Sequence, residues 1–478
     1  MAKIKKIYEM DASEIDDYIT TYLPVKTMEK NKYAEVFTDP LLINKMLDLF
    51  PKTVWTNPHL KWLDPATGAG FFMILVYGRL MKGLTEWEPN LTKRSQHIIG
   101  SMLFMVEINK TNCALCKAIF GPHCNLICRD FLSDFSFAKM EIKIKIKTSD
   151  NKPTNLLFDC IVGNPPFHDD FGLSQSGKRI NGGKSKLYER IFLKSFKMLK
   201  PNGCLSFIVP DNIFSGNGVE SYRVLQKNDV GFVSFNPSNQ LFFPGIQQNV
   251  CYFIVCKKEE REEREEKEGK EEIKEKETTI ETNDTNKFVV VLEDRPINPI
   301  RNWTLKTEKM INKFVSNKRN NVIYNRGQSL ASYKGNKYPI IYTPFKTLYT
   351  NNLSLATGLT QKKAILFSMS TDLEFKMDYK GNVGAGPNTF VIPFNTVSEG
   401  LRLEKFLKSE EYRTLATATK TSRQYLKIAF IEHLQLTKIM GLKSRSNRSN
   451  SRSMSKNITK KRPHNTKSKT YKNKHMHK

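Results

Sequence analysis

Phe158-Asp159-Cys160-Ile161-Val162-Gly163-Asn164-Pro165-Pro166-Phe167 is the stretch on which the reading of this chain turns. The apolar run from Phe158 to Val162 reads as a buried strand. It ends in a glycine, an amide, two prolines and an aromatic ring. Neither proline has an N–H to donate, so the sheet ladder stops there and the backbone beyond it is stiff. In an open α/β sheet, ligands gather outside the carboxyl ends of the strands. Asn164 is therefore expected on a rigid tip, with Phe167 beside it as an apolar wall. The Asn164 side-chain oxygen and the Pro165 carbonyl are two acceptors in a row. Together they could take both hydrogens of an exocyclic amino group on a base. Its lone pair would then be less conjugated with the ring and more nucleophilic, through preorganised polar groups and without a strong base. Phe167 could stack on a flipped base. Taken alone, the same residues also suit a proline-bounded turn after an ordinary strand.

Asn164-Pro165-Pro166-Phe167 after a hydrophobic strand resembles the catalytic motif of the S-adenosylmethionine-dependent amino-methyltransferases. Within that group it is most similar to the DNA adenine-N6 methyltransferases in which the cofactor motif precedes the catalytic one. The resemblance implies an α/β fold: a seven-stranded, Rossmann-like, mostly parallel methyltransferase sheet with the last strand antiparallel. It also implies S-adenosylmethionine as cofactor and double-stranded DNA as partner.

Upstream, Leu60–Leu63 reads as a short strand running into Asp64-Pro65-Ala66-Thr67-Gly68-Ala69-Gly70, then a helix through about Met81. A strand, a glycine turn and a helix let backbone approach a ligand at a helix N-terminus. Asp64, Ala66, Gly68 and Gly70 are the candidate cofactor contacts, since the loop resembles the cofactor loop of the family. A generic glycine turn is the plain alternative. Ser101–Ile108 is expected as the next strand, with Glu107 near its end, where a carboxylate can accept from both ribose hydroxyls. A helix over Asn112–Phe120 and a strand over Asn125–Cys128 lead to Asp130. The family uses an acid there to hold the cofactor's adenine, although a terminal Asp is also an ordinary turn residue.

Ahead of all these, Ala34 to Pro40 resembles the turn that lines the methionine end of the cofactor. Thr38 is the candidate contact. Asp39 intervenes before the proline, and Glu35 stands where glycine is usual. Thr38 and Asp39 also suit a helix cap before Pro40.

After the tip, residues 168–186 are rich in Gly, Ser, Lys and Arg. Lys178, Arg179, Lys184 and Lys186 are candidate contacts to a phosphate backbone. Strands are expected at Cys204–Val209, Gly231–Phe235 and Val250–Cys256. Phe243, before Pro244, matches the aromatic that in the family stacks on the second face of the flipped adenine. Core packing is the alternative. Glu141–Lys147 alternates and reads as a lysine-protected edge strand.

The expected layout is an N-terminal helical extension over 1–33 and a methyltransferase domain over 34–295. A second, α+β target-recognition domain spans 296–438, and a disordered basic tail spans 439–478. Residues 83–100 read as a polar insertion. Residues 257–287, almost wholly charged and polar, read as a solvated insertion inside the first domain. Arg423, within a polar and basic run, is a candidate nucleic-acid contact.

The formal net charge is +28. Residues 443–478 hold 13 basic and no acidic side chains, which leaves +15 on the rest. A basic body favours a polyanionic partner. No 18-residue apolar run and no secretory h-region occur, so a membrane span is not expected and an intracellular setting is. The eight cysteines read as reduced, mostly buried thiols. Cys113, Cys116, Cys124 and Cys128, with His123, make a poor zinc site, because only seven residues separate the two pairs. No metal is expected, since methyl transfer from a sulfonium needs none. The sequence is compatible with a monomer and leaves protein partners open.

Rival readings share the tip. A guanine-N2 rRNA methyltransferase would place His168 after Phe167, and a protein glutamine methyltransferase carries a similar motif. An inactive methyltransferase-like subunit would only bind nucleic acid, but Asn164, Asp64, Gly68 and Gly70 are intact. Glu141/Lys143 and Glu374/Lys376 lack the Pro-Asp partner of a fused nuclease, and no Pro-Cys dipeptide marks a cytosine-C5 enzyme. The N-terminal turn and the long segment after the catalytic part favour DNA.

Overall fold

The structure is a computed structural model that describes residues 6–10, 14, 38–134, 156–167, 186–216, 220–235, 242, 249–259, 276–282, 286–300, 303–320, 322–325, 333–370, 372–420 and 426–442. Most of the expected N-terminal extension, the 141–147 strand, Lys178, Arg179, Lys184, Phe243, Arg423 and the tail from 443 lie outside the described residues.

Strand order explains where a ligand must go. Among the described residues nine strands form one sheet: β1 (Trp62–Asp64), β2 (Leu103–Glu107), β3 (Asn125–Cys128), β4 (Phe158–Gly163), β5 (Leu199–Pro210), β6 (Asp229–Phe235), β7 (Val250–Cys256), β8 (Glu277–Thr282) and β9 (Asn286–Val291). Their order is β3-β2-β1-β4-β5-β7-β6-β8-β9. The first five run parallel, and β7 runs antiparallel to both β5 and β6. The strand order reverses between β1 and β4, which opens a crevice at their carboxyl ends. Asp64 ends β1 and Asn164 follows β4, so the two sequence motifs meet at that crevice.

Along the central strands, neighbouring residues feed opposite cores, as the two-residue period of a strand requires. Trp62, Cys160 and Val162 pack on one face with the helices α1 (Pro40–Leu47), α2 (Phe71–Gly83) and α4 (Lys110–Phe120). Leu63 and Ile161 pack on the other with α5 (Leu187–Lys197) and α6 (Glu220–Lys227). Between α2 and β2 the expected polar insertion is ordered structure. It forms α3 (Leu91–His97) and a π turn, Ile98–Met102. Asn90 caps α3 by accepting from Lys93 N at 3.0 Å, and Tyr77 donates to Ser95 Oγ at 2.7 Å. Its apolar residues are sparse, and the signal was too short to outweigh the surrounding charge.

Seven strands were expected, and the described residues supply nine. The additional pair includes residues read as part of a solvated insertion. In β8, Thr278, Ile280, Glu281 and Thr282 are buried while Glu277 is exposed. β-Branched threonines suit a pleated, half-buried surface despite their polarity. Thr278 satisfies its hydroxyl on Val230 O at 2.8 Å, and Glu281 pairs with Lys287 at 3.0 Å.

Cysteines also depart from expectation. Cys204 and Cys256 face each other across the antiparallel β5/β7 register and form a disulfide, and Cys113 pairs with Cys128. Cys116, Cys124, Cys160 and Cys251 are buried and take no part in these two disulfides.

Ile300 and Trp303 still pack in the core of the large sheet, while Ile297 and the apolar residues from Ile311 to Met440 build a separate core. Strands β10 (Ile323–Asn325), β16 (Thr389–Pro393), β13 (Lys363–Phe367) and β14 (Phe375–Asp378) make a four-stranded antiparallel sheet in that order. Three more, β12 (Lys346–Thr350), β11 (Tyr338–Thr343) and β15 (Gly384–Ala385), make a second small sheet. Helices α7 (Leu305–Phe314), α8 (Val397–Leu407), α9 (Glu410–Thr419), α10 (Ile428–Glu432) and α11 (Leu436–Ile439) complete this region.

Candidate active site at the switch point of the sheet

The crevice begins with close backbone packing between β1 and β4. Leu63 pairs with Ile161, and Gly163 lies against the Asp64 side chain. A Cβ on Gly163 would stand 2.8 Å from Asp64 Oδ1, so only glycine lets the tip strand and this carboxylate share the space. Asp64 is buried, with Oδ1 accepting from Ala66 N at 3.1 Å. Its Oδ2 has no hydrogen-bond partner among the described residues. Burial raises its carboxyl from 3.8 to about 8, and the neighbouring Glu107 charge adds to the rise against the Ala66 hydrogen bond.

The loop after β1 is folded against β2. Thr67 N donates to Val106 O at 3.0 Å, and Gly68 N donates to Glu107 Oε2 at 2.6 Å. Asn109 N reaches the other oxygen, Oε1, at 2.7 Å. Glu107 is thus oriented by two backbone donors, one on each carboxylate oxygen. The two glycines of the loop do different work. Gly68 has φ +54, and a Cβ there would meet nothing within 4 Å, so its backbone faces open space. Gly70 has φ +90, and a Cβ there would press on the Phe120 ring at 3.0 Å. Gly70 is therefore required for α2 to start close against α4, and not for room above the loop.

Asp130 is exposed just past β3. Its Oδ1 accepts from Leu132 N at 2.8 Å, which makes it a turn former first.

On the tip, Pro165 is buried, Pro166 exposed and Phe167 half-buried. Phe167 packs against both cores, which fixes the ring at the rim of the sheet. Asn164 Nδ2 donates to Thr38 Oγ1 at 3.0 Å. Asp39 caps α1, accepting from Leu41 N at 2.8 Å with Pro40 in the first turn, and so holds the buried Thr38 in place. One amide hydrogen of Asn164 is thereby directed to Thr38. Its Oδ1 has no donor among the described residues and is available as an acceptor.

Sequence reasoning listed Thr38 and Asn164 separately. Their contact spans 126 positions and left no local signal. Gly163 was likewise invisible as a requirement, because its reason is the side chain of Asp64 on another strand. Phe242, next to Phe243, is buried in the core, with Lys45 Nζ 5.6 Å from its ring centroid.

Two further lysines stand near this end of the sheet. Lys186 precedes α5 and pairs with Glu189 at 3.4 Å. Lys427, at the start of α10, donates to Ser215 O at 3.1 Å, beyond the end of β5. Burial brings the Lys427 amine down to about 7, the Lys186 charge adds to this, and Asp211 opposes it. Among the described residues no group of His, Cys, Asp and Glu side chains is arranged to hold a metal, and no helix is long and apolar enough to cross a membrane.

Residues 103–242 match the family described as Eco57I restriction-modification methylase. A stretch of 79 residues is 44% identical to an uncharacterized adenine-specific methylase of Mycoplasma pneumoniae, covering 16% of this chain and 19% of that protein. The modification subunit of a putative type I restriction enzyme from Vibrio vulnificus YJ016 superposes at TM-score 0.36 with 15% identity, over 52% of this chain and 50% of that one. A nuclease-deletion mutant of the type ISP restriction-modification enzyme LlaGI, in complex with a DNA substrate mimic, superposes at TM-score 0.48 with 10% identity, over 85% and 47%. The chain thus spans about a fifth of the curated relative it matches and half of the first of these structures. From β2 to Phe242, the stretch that contains Glu107, Asp130 and the Asn164 tip, this chain carries the pattern of the Eco57I restriction-modification methylases.

Proposed function

We propose that the protein transfers a methyl group from S-adenosylmethionine to the N6 amino group of adenine in double-stranded DNA, on a base swung out of the helix. The observation that carries this reading is the orientation of Asn164. Thr38 takes its Nδ2 at 3.0 Å and leaves Oδ1 as an acceptor on a proline-stiffened tip. A pair of acceptors, Asn164 Oδ1 and the Pro165 carbonyl, is what an exocyclic amino group needs to become a better nucleophile. Phe167 supplies one stacking face, and Phe243 is proposed for the other.

The crevice suits the cofactor on two counts. Asp64 Oδ2 is a buried polar atom without a partner among the described residues, and the backbone at Gly68 borders open space. Asp64, Ala66, Gly68 and Thr38 would hold the amino-acid end, Glu107 the ribose, and Asp130 the adenine. When bound, S-adenosylmethionine supplies a methyl group activated by its sulfonium. Residues 296–438 are proposed to read the target sequence, and Lys178, Arg179, Lys184, Lys186 and Arg423 to contact phosphates. The basic tail adds attraction that carries no sequence information.

The test is methyl transfer from labelled S-adenosylmethionine to duplex DNA, ribosomal RNA and protein in parallel. Label in DNA, recovered as N6-methyldeoxyadenosine, supports the reading. Label as methylguanine in RNA or methylglutamine in protein, with DNA untouched, replaces it.

A further inference from the structure

Outside the crevice, one part of the chain combines charge, exposure and shape. Residues 309–371 contain ten Lys and Arg and no Asp or Glu. In their midst β11 and β12 form an antiparallel ribbon, paired from Tyr338/Thr350 to Thr343/Lys346. β12 is the edge strand of its sheet, so one side of the ribbon is uncovered. At the tip, Pro344 and Phe345 join the strands, and Phe345 is 89% exposed. Its backbone is held by Phe345 N donating to Thr343 Oγ1 at 3.3 Å. Lys346 is exposed beside it, and Tyr349 is 47% exposed along the same strand. Lys334 and Lys337 are exposed at the other end of the ribbon.

An almost fully exposed phenylalanine on a hairpin tip needs an explanation. Burying it would stabilise the protein, and a side chain of this size left in water is a poor choice for solubility. One ring with a lysine beside it is too small for a protein-docking patch, which takes a contiguous apolar surface of several hundred Å². Behind the tip, the adjoining cleft balances Asp372, Glu374 and Glu404 against Lys376, Lys408 and Arg413, so that side attracts no polyanion. A two-stranded ribbon fits a duplex groove, and five residues span roughly 17 Å, enough to reach phosphates on both sides. Phenylalanine is among the side chains that wedge between base steps.

We propose that the β11–β12 ribbon is a duplex-DNA probe: Phe345 wedges at a base step while Lys346 at the tip and Lys334 and Lys337 at the base contact phosphates. This rests on the reading of the protein as a DNA methyltransferase and assigns one element of it. The ribbon's edge position leaves it free to enter a groove without breaking the sheet. The ring brings no hydrogen-bonding group, so the contact senses stacking and deformability of the step and not its base edges.

The test uses the full chain and a mixed-sequence duplex, with binding measured across a salt series. Phe345→Ala is expected to weaken binding by about 5- to 150-fold, in the range of one lost base–aromatic stack, with the salt slope unchanged. Phe345→Trp should restore it. Replacing Lys334, Lys337 and Lys346 together by Ala should reduce the slope of log K against log salt by about 2.7, from roughly 0.9 per phosphate contact. Melting temperature and S-adenosylmethionine affinity should match wild type in every variant, because these side chains are exposed and none is among the proposed cofactor contacts. Wild-type affinity and slope in both the Phe345→Ala and the triple-lysine variants would overturn the proposal. Tighter, Phe345-dependent binding to an RNA hairpin would overturn it too. The assignment of activity is tested separately: wild type that binds duplex through Phe345 yet forms no N6-methyldeoxyadenosine would reject the methyltransferase reading and leave the probe standing.

Discussion

Thr38 turns Asn164 from a polar residue on a tip into an oriented acceptor. Removing the hydroxyl with Thr38→Val should leave the amide free to rotate. Turnover should fall, by less than for Asn164→Ala, while the fold is kept. A single-turnover assay on duplex DNA checks this, and an unchanged rate would separate Thr38 from the chemistry. Asp64 sets a pH dependence of its own. Its carboxyl is raised to about 8 in the fold against 3.8 when unfolded, so the folded state favours the protonated form. The stability it contributes is fully present below about 4 and is lost as pH rises through about 8. Asp64→Asn should therefore flatten the loss of stability between pH 4 and 9, measured by urea unfolding at a series of pH values. An identical slope in the variant would count against a neutral, buried Asp64. At this scale the sequence was legible in residue types and silent on partners: it placed Asn164, Asp64 and Glu107 on strand ends, but not the Thr38 contact or the burial that shifts Asp64.

β1 and β4 work as one element because Gly163 has no side chain. Gly163→Ala would put a methyl group 2.8 Å from Asp64 Oδ1, which is already held by Ala66 N. The carboxylate must then shift. We expect a loss of about 1–3 kcal/mol in stability, as for overpacked cores, and weaker S-adenosylmethionine binding by calorimetry. Wild-type affinity in this variant would show that Asp64 can move without consequence. In the C-terminal region, β13 and β14 are tied by Lys363 and Asp378, a buried pair at 2.6 Å. Asp378 also accepts from Gly381 N at 2.8 Å and Val383 N at 3.2 Å, so the same carboxylate shapes the turn after β14. Lys363→Met strands that carboxylate and should cost about 3–5 kcal/mol in denaturant unfolding. The strands themselves were readable from apolar runs, as Phe158–Val162 shows. β8 was not, because its buried face is built from threonines and one isoleucine within a charged run.

Across the whole molecule, the order of motifs carried the fold further than composition did. A glycine loop after one strand, an acid after the next and a proline-stiff tip after the fourth imply a sheet whose strand order reverses between the first and the fourth. The β3-β2-β1-β4-β5-β7-β6 portion has that arrangement. What lay beyond reach was long-range. The pairing of β8 with β6 and that of Cys204 with Cys256 depend on register between distant segments, which local periodicity does not encode. Charge was legible as a total, while its concentration in residues 309–371 gained meaning only once the ribbon was in view. The central claim is that Asn164 activates the amino group of a flipped adenine. Its most direct test is nucleoside mass spectrometry of duplex DNA after incubation with S-adenosylmethionine and either wild type or Asn164→Ala. The account predicts N6-methyldeoxyadenosine with wild type and a rate lower by roughly 10²–10³ in the variant, at unchanged cofactor affinity. Equal product from both proteins, or none from wild type alongside methylated RNA or protein, would contradict it.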